Sequence, residues 1–127
     1  MPVLLQIALG GALGAAGRYL VVEMAARAGG AFFPFGTLLV NVLGSFAMGA
    51  VVVYLLDRGM PGGERWAPVL MTGFLGGFTT FSAFSLDFMH LLERGRPEAA
   101  VIYVAVSVGL SIGALLVGVW LARLVWL

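Results

Sequence analysis

The sequence predicts an all-α integral membrane protein with four transmembrane helices, and three observations support this fold class. The 127 residues are 61% hydrophobic and 10% charged, which is far more apolar than a soluble globular domain. Four stretches with little or no charge each supply the roughly 20 residues that a spanning helix needs. These stretches are 1–22, 31–56, 66–86 and 99–122. The short connections, 27–30, 57–65 and 93–98, hold no soluble domain, so 1–127 is predicted to be a single transmembrane domain.

The first predicted span contains one charged residue, Arg18. No basic segment precedes the apolar run and no small-residue cleavage site follows it, so we predict a retained helix rather than a signal peptide. The guanidinium could extend to the lipid headgroups, or it could place positive potential at the mouth of an anion path. Both interpretations fit the sequence.

Asn41 lies in the middle of the second predicted span, in the segment GTLLVNVLGS at 36–45. A carboxamide in hydrocarbon must find hydrogen-bond partners, so its side chain is predicted to face other helices or water. It could hold helices together or orient an ion as a donor.

The third span carries the segment GGFTTFSAFS at 76–85, which combines a glycine pair, four hydroxyls and three phenylalanines. Irregular backbone is tolerated at membrane depth only where it is buried in protein or lines a wet cavity. We therefore predict that the third helix is broken near its middle and forms a site. A break near Gly76 and Gly77 would leave backbone carbonyls without helical hydrogen-bond partners, and these oxygens could bind a hard monovalent cation. Alternatively, the glycine pair only kinks the helix.

The phenylalanines of this segment, Phe78, Phe81 and Phe84, recur every three residues. Aromatic ring edges carry partial positive charge and could contact an anion without holding it tightly. Ordinary helix packing is the alternative explanation for such a stripe.

The fourth span has hydroxyls at every fourth position, Tyr103, Ser107 and Ser111, which predicts one polar stripe on a helix face. These hydroxyls could form a series of hydrogen-bonding sites along an ion path. Alternatively, each serine bonds back to the carbonyl four residues earlier and only packs.

Small residues four apart also recur, and they predict close approach of helix backbones. The pairs are Gly10 with Gly14, Ser45 with Gly49, and Gly109 with Gly113.

The arginines outside the spans are balanced between the two sides of a four-span topology. One side would carry Arg58, Arg65 and Arg123, and the other Arg27, Arg94 and Arg96. Because a Lys/Arg bias normally fixes orientation, its near absence predicts insertion in both directions and pairing with an inverted copy. A single orientation set by other features, such as the N-terminal amine, is the alternative.

Several classes of function are disfavoured by composition. The chain has no cysteine, one histidine and a net charge of +1, which gives no thiolate metal site, no evident catalytic set and no nucleic-acid footprint. We therefore predict that the protein is not an enzyme. A small four-span multidrug or cation exporter, which needs a deep titratable carboxylate, and a structural assembly subunit are the rival hypotheses.

Three segments together resemble one known family, the small fluoride channels called Fluc or CrcB. They are GAAGRY at 14–19, GTLLVN at 36–41 with GSF at 44–46, and GFLGGFTTFSAFS at 73–85. The resemblance covers the whole chain in length, span number and motif order, and the third segment is the most specific.

The resemblance implies an antiparallel, dual-topology homodimer in a prokaryotic plasma membrane, with two fluoride pores and a central structural sodium ion that is not transported. It implies that the backbone carbonyls of Gly76 and Thr79 hold sodium, and that Arg18 and Thr37 lie at a vestibule or close to the path. The residues that it places along the fluoride path are Asn41, Thr80, Phe81, Ser82, Phe84, Tyr103, Ser107 and Ser111.

The chain departs from the family pattern at three positions. Ala83 stands where threonine is often found, Phe78 where leucine is frequent, and Asp87 where glutamate is usual. Because aspartate is one methylene shorter than glutamate, the resemblance carries over to Asp87 neither a gating role nor a role in coordinating the pore hydroxyls, and the predicted path does not depend on either.

Overall fold

Four long apolar helical segments make up almost all of the computed structural model, which describes residues 1–29, 32–57 and 60–127. Each is long and apolar enough to cross a membrane, as the sequence predicts. The four segments are Val3–Arg27, Phe35–Asp57, Gly63–Glu93 and Pro97–Trp126. They extend several residues beyond the apolar stretches because charged side chains at helix ends can reach water.

The first and fourth spans are single helices, α1 (Val3–Arg27) and α6 (Pro97–Trp126). The second span is α2 (Phe35–Val52), which ends in a π-helical turn, Val53–Asp57. Proline at the first position of α6 fits its fixed φ and missing N–H, which the first helical turn does not need.

The third span consists of several pieces rather than one rod. It begins with α3 (Gly63–Ala67), continues as a π-helical segment, Pro68–Leu75, and then as the single turn α4 (Gly76–Phe78). After two extended residues, α5 (Phe81–Glu93) begins. The predicted break is therefore present, and it falls at Thr79 and Thr80, just after the glycine pair.

Glycines set the close helix contacts inside the protomer. A Cβ at Gly14 would collide with the backbone of Phe74 in the third span, and one at Gly49 would collide with Leu115 of α6. Gly109 and Gly113 differ, because no described residue lies within 4 Å of a Cβ built at either position. The predicted close approach of another helix at these two glycines is therefore not seen within the described part of the protomer.

Contacts at the two ends of the bundle agree with the predicted topology. At one end Arg123 pairs with Asp57 at 3.2 Å. At the other end Arg96 donates a hydrogen bond to the carbonyl of Phe32. The second connection therefore shares an end with the C-terminal part of α6, and the first connection shares an end with the third. Arg58, which enters the arginine balance, lies outside the described residues.

Candidate functional site

The break in the third span leaves backbone polar groups at membrane depth. Thr79 (φ −90°, ψ 157°) and Thr80 (φ −153°, ψ 123°) are extended, so the Thr79 carbonyl and both backbone groups of Thr80 leave the regular helical pattern. The Thr79 N–H still donates to the Leu75 carbonyl at 3.1 Å. Each group that leaves the pattern costs several kcal/mol in hydrocarbon unless it finds a partner. The neighbouring helix α2 supplies both partners of Thr80, whereas the Thr79 carbonyl has none among the described residues.

Asn41 of α2 satisfies both backbone groups of Thr80. The Thr80 N–H donates to Asn41 Oδ1 at 2.7 Å, and Asn41 Nδ2 donates to the Thr80 carbonyl at 3.0 Å. The carboxamide therefore holds two helices together. Since Nδ2 carries two hydrogens, one donor remains for a solute.

Two threonine side chains and one glycine complete the support of the break. Thr79 Oγ1 donates to the Leu75 carbonyl at 3.0 Å, and its methyl group packs so closely on Gly44 of α2 that a Cβ there would overlap it. Thr80 Oγ1 accepts from the Ala83 N–H at 3.1 Å and caps the start of α5.

Arg18 reaches the same region from α1. Its Nε donates to the Gly77 carbonyl at 3.1 Å, so the half-buried side chain turns toward the protein rather than extending to the headgroups. The structure thus gives Arg18 a supporting contact at the C-terminal end of the first half of the third span. Its place near a vestibule stays a prediction, as does that of Thr37, which is buried.

A groove of about 340 Å³ runs beside the break, between α2, α5 and α6, and opens to the outside of the protomer. It brings together six of the residues predicted for the fluoride path with Thr79 of the predicted sodium site. Its lining residues are Asn41, Ser45, Thr79, Thr80, Phe81, Phe84, Ser107, Val108, Ser111 and Ile112.

The hydroxyls of Ser107 and Ser111 are buried in this groove without a hydrogen-bond partner among the described residues. The simple alternative, in which each serine bonds back to the preceding helical turn, therefore does not hold for them. Ser85 does make such a bond, donating to the Phe81 carbonyl at 3.0 Å. An unpaired buried hydroxyl is costly, so two of them on one wall indicate a place for a polar solute.

The phenylalanine stripe is divided by the break. Phe78 stacks on Phe74 with ring centroids 6.0 Å apart, and it is absent from the groove. Phe81 and Phe84 meet edge to face at 5.4 Å, and both line the groove. Phe84 is buried, whereas Phe81 is 77% exposed on the isolated protomer.

Two residues predicted for the fluoride path lie outside the groove lining. Tyr103 is fully buried against Phe84, with ring centroids 5.2 Å apart, and its hydroxyl donates to Asp87 Oδ2 at 3.0 Å. Ser82 is exposed, and its hydroxyl lies 3.3 Å from Thr80 Oγ1. Whether fluoride passes these two side chains stays a prediction.

The sequence analysis missed Ser45, Val108 and Ile112 as lining residues. Ser45 was interpreted only as a packing residue, although its position four residues after Asn41 places both side chains on one helix face. Val108 and Ile112 each follow a serine of the hydroxyl stripe and form the apolar part of the same wall.

The described residues contain no cluster of three or more His, Cys, Asp or Glu side chains that could hold a metal ion. Backbone oxygens offer another kind of ligand. Within the described part of the chain, no hydrogen bond reaches the carbonyls of Gly76 or Thr79, because the Thr79 N–H goes to Leu75 and the Thr80 N–H to Asn41. Neutral carbonyl oxygens suit a hard cation, so the chemistry of this donor pair fits sodium.

Together these features define a small helical membrane protein with a polar groove beside a broken helix. The sequence matches the family described as CrcB-like protein, Camphor Resistance (CrcB), over residues 5–119, and the chain belongs to this family. A fluoride-specific ion channel FluC of Cereibacter sphaeroides is 56% identical over 120 residues, which cover 94% of each chain.

Two further relatives carry the same name, fluoride-specific ion channel FluC. The protein of Roseobacter denitrificans is 49% identical over 129 residues and matches along the full length of both chains. That of Paracoccus denitrificans is 52% identical over 119 residues, which cover 94% of this chain and 93% of the relative. The family is one of transport proteins rather than enzymes, and the chain is a multi-pass integral protein of a prokaryotic plasma membrane.

Proposed function

We propose that residues 1–127 form one channel domain that conducts fluoride passively across the membrane and lowers cytoplasmic fluoride. The observation that carries this proposal is that the buried hydroxyls of Ser107 and Ser111 in the groove have no partner among the described residues. The names of the relatives, which are fluoride-specific ion channels over nearly the same length, support the identity of the ion.

The chemistry of the groove suits a small anion that must lose part of its water. The hydroxyls of Ser107 and Ser111, the spare amide N–H of Asn41 and the ring edges of Phe81 and Phe84 all present hydrogens with partial positive charge. Each contact is weak compared with an arginine, so an ion can leave one site for the next. A narrow bore lined in this way would exclude chloride.

The proposed functional unit is an antiparallel, dual-topology homodimer with two pores. Two observations favour a second copy over the groove. The groove opens to the outside of the protomer, and Phe81, which lines it, is largely exposed. The exposed ring edge of Phe81 could contact fluoride in a closed pore once a second copy covers the open side of the groove. The balanced arginines allow that partner to be inverted.

We further propose that a structural sodium ion binds the backbone carbonyls of Gly76 and Thr79 near the dimer axis. Bound there, the ion would supply positive charge that satisfies these oxygens. Replacing sodium with potassium or N-methylglucamine should lower the thermal midpoint of the purified dimer. The fluoride release rate should not depend on the direction of a sodium gradient, because the ion is not transported. An unchanged midpoint in all three cations would contradict the sodium site.

Fluoride efflux from proteoliposomes tests the proposed function directly. Purified protein in liposomes loaded with potassium fluoride should release fluoride to an electrode when a potassium ionophore dissipates the membrane potential. Liposomes loaded with chloride should release almost none. Asn41→Asp combined with Phe81→Ile should stop the release, whereas Ser85→Ala should not.

Three outcomes would contradict the proposal. Equal chloride release would remove the selectivity. No fluoride release by the wild type would remove the channel activity. Substrate movement that requires a proton gradient would favour the exporter instead.

A further inference from the structure

A second groove, of about 440 Å³, lies at one end of the bundle, between the start of α1 and the start of the third span. We call it the N-terminal groove, and its volume falls in the range of small-molecule sites. None of its described lining residues belongs to α2, α5 or α6, the helices that border the groove beside the break. The described lining residues are Met1, Gln6, Leu9, Arg65, Trp66 and Val69.

The two helical segments that border the N-terminal groove run parallel. A Cβ at Gly10 would collide with the Val69 carbonyl, and a Cβ at Gly14, one turn later on α1, would collide with the Phe74 carbonyl. The contact positions advance along both segments in the same direction. The start of α1 and the start of the third span therefore lie at the same membrane surface, and the groove between them begins at headgroup depth.

The polarity of the N-terminal groove changes with depth. Arg65 and Gln6 lie in the first turns of the two segments, whereas Val69 and Leu9 lie about one turn deeper. Trp66, which is 55% exposed, stands at the boundary, where an indole ring is favoured. The groove thus has polar donors at the depth of the headgroups and an apolar wall, formed by Leu9, Trp66 and Val69, at the depth of the acyl chains.

The polar end of the N-terminal groove is positively charged. Arg65 is the only charged side chain among the described lining residues, and no described carboxylate forms an ion pair with it. The adjacent Glu64 is exposed and does not line the groove. Gln6 Nε2 donates to the Met1 carbonyl at 3.0 Å, which leaves its second hydrogen for another acceptor. A guanidinium presents a planar set of donors that matches a phosphate.

We propose that the N-terminal groove binds an anionic phospholipid, whose phosphate lies on Arg65 and Gln6 and whose acyl chain lies along the apolar wall. This site goes beyond the proposed function and does not depend on fluoride. A soluble phosphate would use the polar end alone and leave the apolar wall empty. A second copy of the chain would bury the Arg65 guanidinium in a protein interface, which is costly without a carboxylate partner.

Native mass spectrometry of the purified full chain measures bound lipid directly. The protein, in a neutral detergent, is titrated with dioleoylphosphatidylglycerol or dioleoylphosphatidylcholine, which share their acyl chains and differ in net charge. The wild type should bind phosphatidylglycerol at least about fivefold more tightly, as expected for one arginine beside an anionic headgroup. Arg65→Gln should remove this preference. Arg27→Gln is the control, because it removes an exposed arginine at the opposite end, and it should keep the preference.

Three outcomes would overturn the proposal. One is equal affinity of the wild type for the two lipids, or a preference that Arg65→Gln retains. Another is competition by glycerophosphoglycerol, the headgroup without acyl chains, at the concentration of the lipid, which would assign the site to soluble phosphates. The third is a change in the oligomeric state of Arg65→Gln on size-exclusion chromatography with unchanged lipid binding, which would assign the groove to a second copy.

A second pair of variants decides the question if Arg65→Gln does not fold. Leu9→Trp would fill the apolar part of the N-terminal groove without changing any charge. Leu13→Trp is the matched control, because Leu13 lies one turn later on α1, is 67% exposed and is outside the groove. Phosphatidylglycerol should bind Leu9→Trp at least about fivefold more weakly than Leu13→Trp, since the acyl chain loses buried methylenes. Equal binding by the two variants would overturn the proposal.

Discussion

Asn41 and Thr80 connect the second span to the break in the third through two hydrogen bonds, 2.7 Å and 3.0 Å long. One side chain thereby replaces both backbone partners that Thr80 loses when the helix stops. The neighbouring contacts, from Arg18 to the Gly77 carbonyl and from Thr80 Oγ1 to the Ala83 N–H, act in the same way on other freed groups. The break is therefore held in a fixed geometry by side chains from three helical segments.

Asn41→Asp should lower both the stability of the fold and the fluoride efflux. The aspartate keeps an acceptor for the Thr80 N–H, but it has no donor for the Thr80 carbonyl and puts a negative charge on the path. We expect a loss of about 1–3 kcal/mol in unfolding free energy. Thermal unfolding in detergent and the efflux assay measure the two effects. Ser45→Ala, on the same helix face, should leave stability nearly unchanged. Equal stability of the wild type, Asn41→Asp and Ser45→Ala would contradict the supporting role of the hydrogen bonds between Asn41 and Thr80.

Gly44→Ala should displace Thr79 and impair the site. The added methyl would overlap Thr79 Cγ2, and a β-branched side chain has little freedom to move away. Overpacking of this kind costs about 1–3 kcal/mol. Gly109→Ala is the matched control, because its Cβ meets open space and alanine favours the helix by about 1 kcal/mol. If Gly44→Ala melts at or above the temperature of Gly109→Ala, the close contact has no energetic importance.

Ser107→Ala and Ser111→Ala should slow fluoride efflux without lowering stability. Both hydroxyls are buried without a partner among the described residues, so removing either deletes an unsatisfied group and should leave the melting temperature equal or higher. The efflux rate should fall several-fold, because fluoride loses a donor. Ser85→Ala removes a hydroxyl that already bonds the Phe81 carbonyl and should conduct normally. Normal efflux by both groove variants would show that these hydroxyls are not used.

Arg18→Met should destabilise the break by leaving the Gly77 carbonyl unpaired in a half-buried position. A cost of about 1–3 kcal/mol is expected for an orphaned buried acceptor. Arg27→Met, near the end of the same helix, removes only an exposed pair with Glu23 and should cost less than about 0.5 kcal/mol. Chemical unfolding of the two variants side by side measures the difference. A smaller loss for Arg18→Met than for Arg27→Met would contradict the supporting role.

Most of the architecture could be predicted from the sequence. Four stretches with little or no charge predicted four spans, and the segment at 76–85 indicated a break because its glycines and hydroxyls suit no lipid-facing helix. The hydroxyl stripe on α6 also followed from a spacing of four residues. Such features are local, since they depend only on residues close in the chain and on the cost of polar groups in hydrocarbon.

Other features of the site were ambiguous in the sequence. From the sequence, Asn41 could hold helices together or orient an ion, and in the structure its carboxamide binds the backbone of Thr80. The sequence favoured extension of Arg18 to the headgroups, but its side chain donates to the Gly77 carbonyl. The phenylalanine stripe predicted one face, but the break turns Phe78 away from Phe81 and Phe84. Ser45 gave the right spacing to Asn41 but was interpreted as a packing residue.

By itself the sequence determined that the chain crosses the membrane four times, and that its third crossing is irregular. Hydrophobicity and the penalty on unpaired backbone groups in lipid leave little choice on these points. Only the tertiary structure decided which polar groups pair and which stay free. Asn41 lies 39 residues from Thr80 and Arg18 lies 59 residues from Gly77, so no local pattern encodes these contacts. The hydroxyls of Ser107 and Ser111 are the buried side-chain groups left without a partner among the described residues.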